Sequence, residues 1–299
     1  MPTPALPSAP RVLVTYKKSR LEYHGSEDSP DAGSGGSGLN DELEEAHRAH
    51  RRSIERVTSA LETSGLDYES IYRGQLQGVD TFDLVVTVGG DGTVLDVSHK
   101  VFDTPLLAIN SHPNSSVGYF CAGRAPEFPD LLERAIDGEL PAFDLERFDI
   151  ELDGRQLKTP VLNEVLVAHQ NPAGVARYTL QPAEGGTEEQ RSSGIWISTP
   201  AGSTGAIRSA GGFILPLDSD YMEYLVREPY PHSREVYRHE RGVQSMDHPF
   251  EVTSRMEKGR IFLDGPHVSH PFPPGDVLRI GRGEYPITIY GLDERRRAR

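Results

Sequence analysis

The chain has 299 residues, 36% of them hydrophobic, with 45 acidic against 31 basic side chains and a formal net charge of −14. That balance excludes general nucleic-acid binding, which needs a basic footprint, and the one cysteine, Cys121, excludes an intramolecular disulfide and a thiolate metal cluster. No apolar run reaches the roughly eighteen residues a membrane-spanning helix needs, and the opening MPTPALPSAPR lacks the pattern of a secretory signal, so two modest domains in the cytoplasm, with no membrane partner, are expected.

In chain order, RVLVTY (11–16) is short, apolar and β-branched, as a buried strand should be. HGSEDSPDAGSGGSG (24–38) has almost nothing to bury and reads as a mobile loop. A helix follows, capped by Asn40 or Asp41, with Leu43, Ala46, Ile54, Val57 and Leu61 at helical spacing and Gly65 at its end. DLVVTV (83–88) and PLLAIN (105–110) read as strands, with helices at 93–102 and 126–137. Strands alternating with helices predict a parallel sheet, so residues 1–140 are expected to form a Rossmann-like α/β domain.

From about 144 the texture changes. RFDIEL, a hairpin turn at Asp153-Gly154, RQLKTPVLNEVLVAH, ARYTLQ, GIWIST, PFEVTS, RIFLDG, VLRI and YPITIY all read as strands. Residues 141–275 are therefore expected to form a β-rich, sandwich-like domain. Residues 276–299 are expected to form a C-terminal segment that returns to the first domain, with a basic tail, 293–299, that reads as solvated. Trp196, between Ile195 and Ile197, reads as a core residue.

The sharpest feature is Gly89-Gly90-Asp91-Gly92-Thr93, directly after one strand and before a helix. Glycines permit positive φ and close approach of a ligand to the backbone. The helix N-terminus offers free N–H groups and a positive dipole end to phosphate, and Thr93 adds a hydroxyl. Asp91 places a carboxylate where phosphates should sit. Two roles suit it: holding a Mg²⁺ that bridges to phosphate, or accepting a proton from an attacking hydroxyl. There is no third glycine at 95, so the dinucleotide fingerprint is incomplete at this turn; no GxxxxGK[ST] loop occurs, and Gly202-Ser203-Thr204-Gly205 lacks the spacing of a GxSxG elbow. His47 and His50 share a helix face without a completing carboxylate pair and read as structural, while His112 follows the third strand near the presumed site.

The GGDGT segment resembles the signature of NAD kinases, diacylglycerol-type lipid kinases and, in variant form, phosphofructokinases. Leu162-Asn163-Glu164, the run Ser198-Thr199-Pro200-Ala201-Gly202-Ser203-Thr204-Gly205, its sequel Ser209-Ala210-Gly211-Gly212, and Asp264-Gly265 are similar, in order and spacing, to further segments of the NAD kinase family. Asn110-Ser111-His112-Pro113, Gln190-Arg191-Ser192-Ser193-Gly194 and the opening VTYKKSRLEY are closest to its mitochondrial-type branch. The chain departs from the common bacterial enzymes at Ser193, where they carry Asp, and at Ala206, where they carry Tyr.

The resemblance implies an NAD kinase-like fold and transfer of the γ-phosphate of ATP to the 2′-hydroxyl of NAD(H). It implies Gly89, Gly90, Gly92 and Thr93 at the triphosphate and Asp91 as general base. Asp91, Gly92, Asn110, Asn163, Glu164, Thr199, Gly202, Ser203 and Thr204 would line the dinucleotide, which would lie between the domains. Mg²⁺ would arrive with ATP rather than in a resident metal site, and a homodimer or larger homo-oligomer is implied. Two rivals stay open: a lipid kinase using the same GGDGT segment, and a dinucleotide-binding sensor without transfer activity.

Overall fold

The computed structural model describes residues 6–19, 21–22, 37–113, 116–231 and 236–292. Residues 24–36 of the Gly/Ser-rich stretch and the tail 293–299 lie outside them. The chain forms two compact units, Met1–Phe143 with Ile287–Arg299, and Asp144–Pro286.

The first unit carries a seven-stranded sheet made of β1 (Val12–Tyr16), β2 (Tyr68–Tyr72), β3 (Leu84–Gly89), β4 (Leu106–Asn110), β5 (Gly123–Arg124), β6 (Ala142–Leu145) and β19 (Ile287–Tyr290). Its order is β2-β1-β3-β4-β19-β6, with β5 beside β4. β1 pairs in parallel with β2 and β3, and β4 pairs in parallel with β3, β5 and β19. All six residues of β3 and all five of β4 are buried, as a sheet covered on both faces requires.

Three helices serve this sheet: α1 (Ser37–Thr63), α2 (Asp91–Ser98) and α3 (Phe128–Ile136). α1 begins at Ser37, ahead of the expected cap at Asn40 or Asp41. Its buried stripe is Ile54, Val57 and Leu61 at helical spacing, while Leu43 and Ala46 are only half-buried. Gly65 closes it at φ 66, where Leu66 N–H donates back to Leu61 O at 3.2 Å. A left-handed residue just past a helix end lets the next amides satisfy its last carbonyls.

The second unit is a sandwich of two antiparallel six-stranded sheets. One runs in the order β11-β10-β15-β18-β7-β8, from Glu188–Ser192, Ala176–Gln181, Phe250–Ser254, Val277–Arg282, Phe148–Leu152 and Arg155–Gln156. The other runs in the order β14-β13-β12-β9-β16-β17, from Arg241–Ser245, Tyr221–Arg227, Gly194–Ser198, Glu164–His169, Gly259–Leu263 and Val268–Pro271. One core joins their inner faces, with Ile150, Tyr178, Val252 and Ile280 from the first and Val165, Ile197, Met222 and Ile261 from the second. A short helix, α4 (Ala206–Ser209), interrupts the strands. β18 belongs to this unit, so the unit runs past residue 275 to Pro286 and the return to the first sheet begins at Ile287.

Asp153 and Gly154 both take positive φ, 48° and 73°, as a two-residue hairpin turn between β7 and β8 requires. Trp196 corrects the expectation of core packing. Ile195 and Ile197 are fully buried on the inner face, so strand alternation puts Trp196 on the outer one. There it is half-buried, with the Arg227 guanidinium 5.7 Å from its ring centroid.

We predict that Leu61→Ala, which empties a fully buried site on the α1 stripe, destabilises the first unit by about 3 kcal/mol. Leu43→Ala should cost under about 1 kcal/mol. Urea unfolding midpoints check both, and equal losses would refute the stripe.

Candidate functional site

The strand order reverses direction at β1, since the chain places β2 on one side of it and β3 on the other. Open α/β sheets hold ligands at the carboxyl ends of the strands flanking such a switch point. Gly89-Gly90-Asp91-Gly92-Thr93 sits there, with Gly90 as the N-cap of α2.

The glycines act differently from the expectation. None of Gly89, Gly90 and Gly92 has positive φ. A Cβ on Gly89 would lie 2.1 Å from Thr93 Oγ1, and one on Gly90 would lie 2.3 Å from Ser116 Oγ, so these two permit close packing inside the turn. A Cβ on Gly92 would meet nothing within 4 Å. Thr93 is buried, so its hydroxyl braces the turn from beneath rather than facing outward.

Asp91 opens the helix, half-exposed, and its Oδ1 accepts the Phe120 N–H at 2.8 Å. That bond fixes the carboxylate's orientation. Asn110, at the end of β4, is engaged by its own loop: Nδ2 donates to Ser116 O at 3.1 Å and Oδ1 accepts the His112 N–H at 3.1 Å. The His112 backbone is thereby tied to the loop next to the turn.

Two further side chains support this edge. Arg73, directly after β2 and not singled out in the sequence, donates from Nη1 to Gly92 O at 3.0 Å and pairs through Nη2 with Asp96 at 2.8 Å. His50 is buried on α1, where Nε2 donates to Lys17 O at 2.7 Å and Nδ1 accepts from Ser111 Oγ at 2.9 Å. Burial holds its ring below the ordinary histidine range, which suits this neutral arrangement. His50 thus ties the ends of β1 and β4 to α1, the structural role expected of it. His47 bonds Ser19 Oγ at 2.7 Å.

In the second unit, Asp264 is more than a hairpin residue. At φ 50 and nearly buried, its carboxylate accepts the N–H groups of Leu162, Asn163 and Glu164 at 2.8, 2.6 and 3.1 Å. The Thr-Pro segment locks onto the same stretch. Thr199 N–H donates to Asn163 O at 2.9 Å, and Thr199 Oγ1 donates to Leu162 O and accepts the Gly202 N–H. A Cβ on Gly202 would lie 2.1 Å from Asn163 O, which no other residue could tolerate. Ser203 Oγ donates to Pro200 O and accepts the Leu215 N–H, and Thr204 is half-buried. In the sequel, Gly212 packs against Glu223, a buried carboxyl that the sequence did not single out and that accepts the Phe213 N–H at 2.6 Å.

The side chains of Asn163 and Glu164 converge on Gly205, whose Cβ would lie 3.8 Å from Asn163 Nδ2 and 3.2 Å from Glu164 Oε2. Asn163 Oδ1 and Glu164 Oε2 are buried, and neither has a hydrogen-bond partner among the described residues. Burial first, then the charge of Asp264, pushes the Glu164 carboxyl up to about 8. No group of three or more His, Cys, Asp or Glu side chains able to hold a metal occurs among the described residues.

The raised Glu164 carboxyl sets a pH dependence. Between its ordinary value of 4.5 and about 8, the folded chain keeps a proton that the unfolded chain has lost, so stability falls as pH rises through that window, by up to about 1.4 kcal/mol per pH unit. We predict that Glu164→Gln removes this slope and gains on the parent chain most at pH 8.5. Denaturant midpoints at pH 5.5 and 8.5 check it, and parallel slopes in both chains would overturn it.

Residues 31–140 match the model of the ATP-NAD kinase N-terminal domain. A probable NADH kinase of Oryza sativa subsp. japonica is 34% identical over 266 residues, covering 82% of this chain and 82% of the relative. An NADH kinase of Arabidopsis thaliana is 31% identical over 264 residues, covering 80% and 83%. The crystal structure of an NAD kinase from Archaeoglobus fulgidus in complex with ATP has the same fold, with a TM-score of 0.70 at 22% identity over 96% of each chain. The match to the rice protein spans most of both chains at an identity that shows kinship, and this chain belongs to the NAD kinase family.

Proposed function

We propose that this chain transfers the γ-phosphate of ATP to the 2′-hydroxyl of the adenosine ribose of NAD(H), giving NADP(H) and ADP. The observation that carries the reading is the pair of buried acceptors, Asn163 Oδ1 and Glu164 Oε2. A buried acceptor without a donor is costly, and a ribose supplies two hydroxyl donors on one rigid ring. Thr199 and Gly202 hold these two residues in place, and with Ser203 and Thr204 they line the dinucleotide.

In the first unit, the start of α2 offers its free N–H groups to phosphate over Gly89, Gly90 and Gly92, with Thr93 bracing the turn and Asn110 setting the neighbouring loop. Asp91 accepts the 2′-hydroxyl proton as that oxygen bonds to the γ-phosphorus, and the bond from phosphorus to the ADP oxygen breaks. The chemistry is mostly positioning and charge neutralisation. Mg²⁺ carried by the triphosphate would supply part of that neutralisation, and Asp91 is the carboxylate at the turn that would stand nearest to it. One plant relative being an NADH kinase and the other a probable NADH kinase, NADH is the acceptor to assay first.

A reducing compartment such as the cytoplasm suits the single, buried thiol of Cys121. No helix among the described residues is long and apolar enough to cross a membrane. Homo-oligomer formation follows the family resemblance, and a monomer mass in light scattering would remove it.

The purified chain should convert NADH or NAD⁺ to the 2′-phosphate with Mg-ATP and leave diacylglycerol untouched. Turnover of lipid alone, or dinucleotide binding without turnover, would sink the proposal. Asp91→Asn should lower the transfer rate by about 10²- to 10⁴-fold with dinucleotide affinity retained; a loss under about tenfold would remove Asp91 as the base.

The glycines give a separate test. Gly92→Ala should fold at least as stably as the parent, by up to about 1 kcal/mol, yet lose phosphate binding. Gly89→Ala should lose stability outright. Melting curves beside ATP titrations read both, and normal ATP affinity in Gly92→Ala would refute the phosphate role of the turn.

A further inference from the structure

A triphosphate meets a charge problem at this turn. Asp91 and Asp96 both lie on α2, and the whole chain is acidic. The helix N-terminus offers only about half a positive charge. Cations must come from elsewhere, and the strands beside β3 supply them.

β2, β1 and β3 are consecutive neighbours and run the same way, so the residues just past their carboxyl ends emerge on one edge. Arg73 comes directly after β2, and Lys18 stands two residues past β1, at the switch point. The Lys18 ammonium lies 5.0 Å from the centroid of the Tyr72 ring. Tyr72 is the residue before Arg73, and Arg73 bonds Gly92 O. Lys18, Tyr72, Arg73 and the glycine turn are therefore one connected row. Lys18 is exposed and makes no ion pair among the described residues. A guanidinium has five N–H donors; the bonds of Arg73 to Gly92, Thr93 and Asp96 use three at most, and its side chain stays 21% exposed.

We infer that Lys18 and Arg73 form the cationic arm of the phosphoryl-donor site. Lys18 binds outer oxygens of the triphosphate. Arg73 is chiefly a positioning residue: it holds the Gly92 carbonyl so that the first amides of α2 face the phosphates, and its spare N–H groups add charge. The inference rests on the kinase reading and deepens it, because it assigns these side chains to the donor and not to the dinucleotide.

The test uses the full chain, with steady-state kinetics and calorimetric titration of Mg-ATP. Lys18→Met should raise the KM and Kd for Mg-ATP about tenfold or more, the loss of one charge-assisted contact, with the KM for NADH and the melting temperature unmoved. Arg73→Gln should weaken donor binding and lower kcat, and Arg73→Lys should recover part of the donor affinity. If Arg73→Gln fails to fold, Lys18→Met, on an exposed side chain, decides. Transfer activity with donor affinity unmoved by Lys18→Met overturns the arm and leaves the kinase reading standing. A higher KM for NADH alone overturns it too, by moving the charge to the dinucleotide. Mg-ATP binding that weakens in Lys18→Met, in a chain that phosphorylates no dinucleotide, upholds the arm and overturns the kinase reading.

Discussion

The Asp264 carboxylate accepts three consecutive backbone N–H groups, and the stretch of the second unit proposed to bind the dinucleotide depends on that clamp. The three amides belong to Leu162, Asn163 and Glu164, where the chain enters β9. Without an acceptor they would be buried donors, each costing about 1–3 kcal/mol. The clamp also sets the direction in which Asn163 and Glu164 project. Thr199 and Gly202 then close on the carbonyl side of the same residues, so both edges of a short backbone stretch are held by partners distant in sequence.

The clamp has an electrostatic consequence. The charge of Asp264, added to burial, works against ionisation of Glu164 and pushes its carboxyl up to about 8. Two carboxyls one strand apart are thus forced into different jobs. One is spent on the backbone, and the other keeps an oxygen unpartnered among the described residues. A buried group in that condition weakens the fold, and such groups concentrate at functional sites. The first unit shows the same logic with opposite signs. Arg73 binds a backbone carbonyl and Asp96, and the exposed Lys18 keeps its charge available.

Much of this was legible in the sequence where burial and composition coincide. β3 is a continuous apolar run and is buried throughout. β2, Tyr68–Tyr72, escaped because it is an edge strand, half-exposed, with Glu69 and Ser70 in its middle. β13 escaped because a buried glutamate, Glu223, interrupts a run flanked by charge- and proline-rich chain. Trp196 was misplaced although the rule that places it was in view: with Ile195 and Ile197 facing in, the residue between them faces out. Asn163 and Glu164 were legible only through family resemblance, because an Asn-Glu pair carries no pattern by itself. Arg73 carried no local signal at all. It stands 16 residues before the turn it touches, and the parallel sheet alone brings them together.

The letters of the glycine motif separate by cause. Gly89 is required by Thr93, and Gly90 by Ser116, both within the first unit. Gly92 is required by neither, since a side chain there would meet no protein atom within 4 Å. The proposed phosphate site would account for Gly92, since a bare backbone at the start of α2 lets an anion approach and helix N-termini attract anions. Under the proposed function the unpartnered oxygens of Asn163 and Glu164 take hydroxyl donors. The two units then offer two chemistries, bare backbone for a phosphate in the first and buried acceptors for the hydroxyls of a sugar in the second. Asp91 adds a proton acceptor to the first of these, a group that a turn which only binds phosphate does not need. That combination is what separates a phosphoryl-transfer enzyme from a phosphate-binding turn.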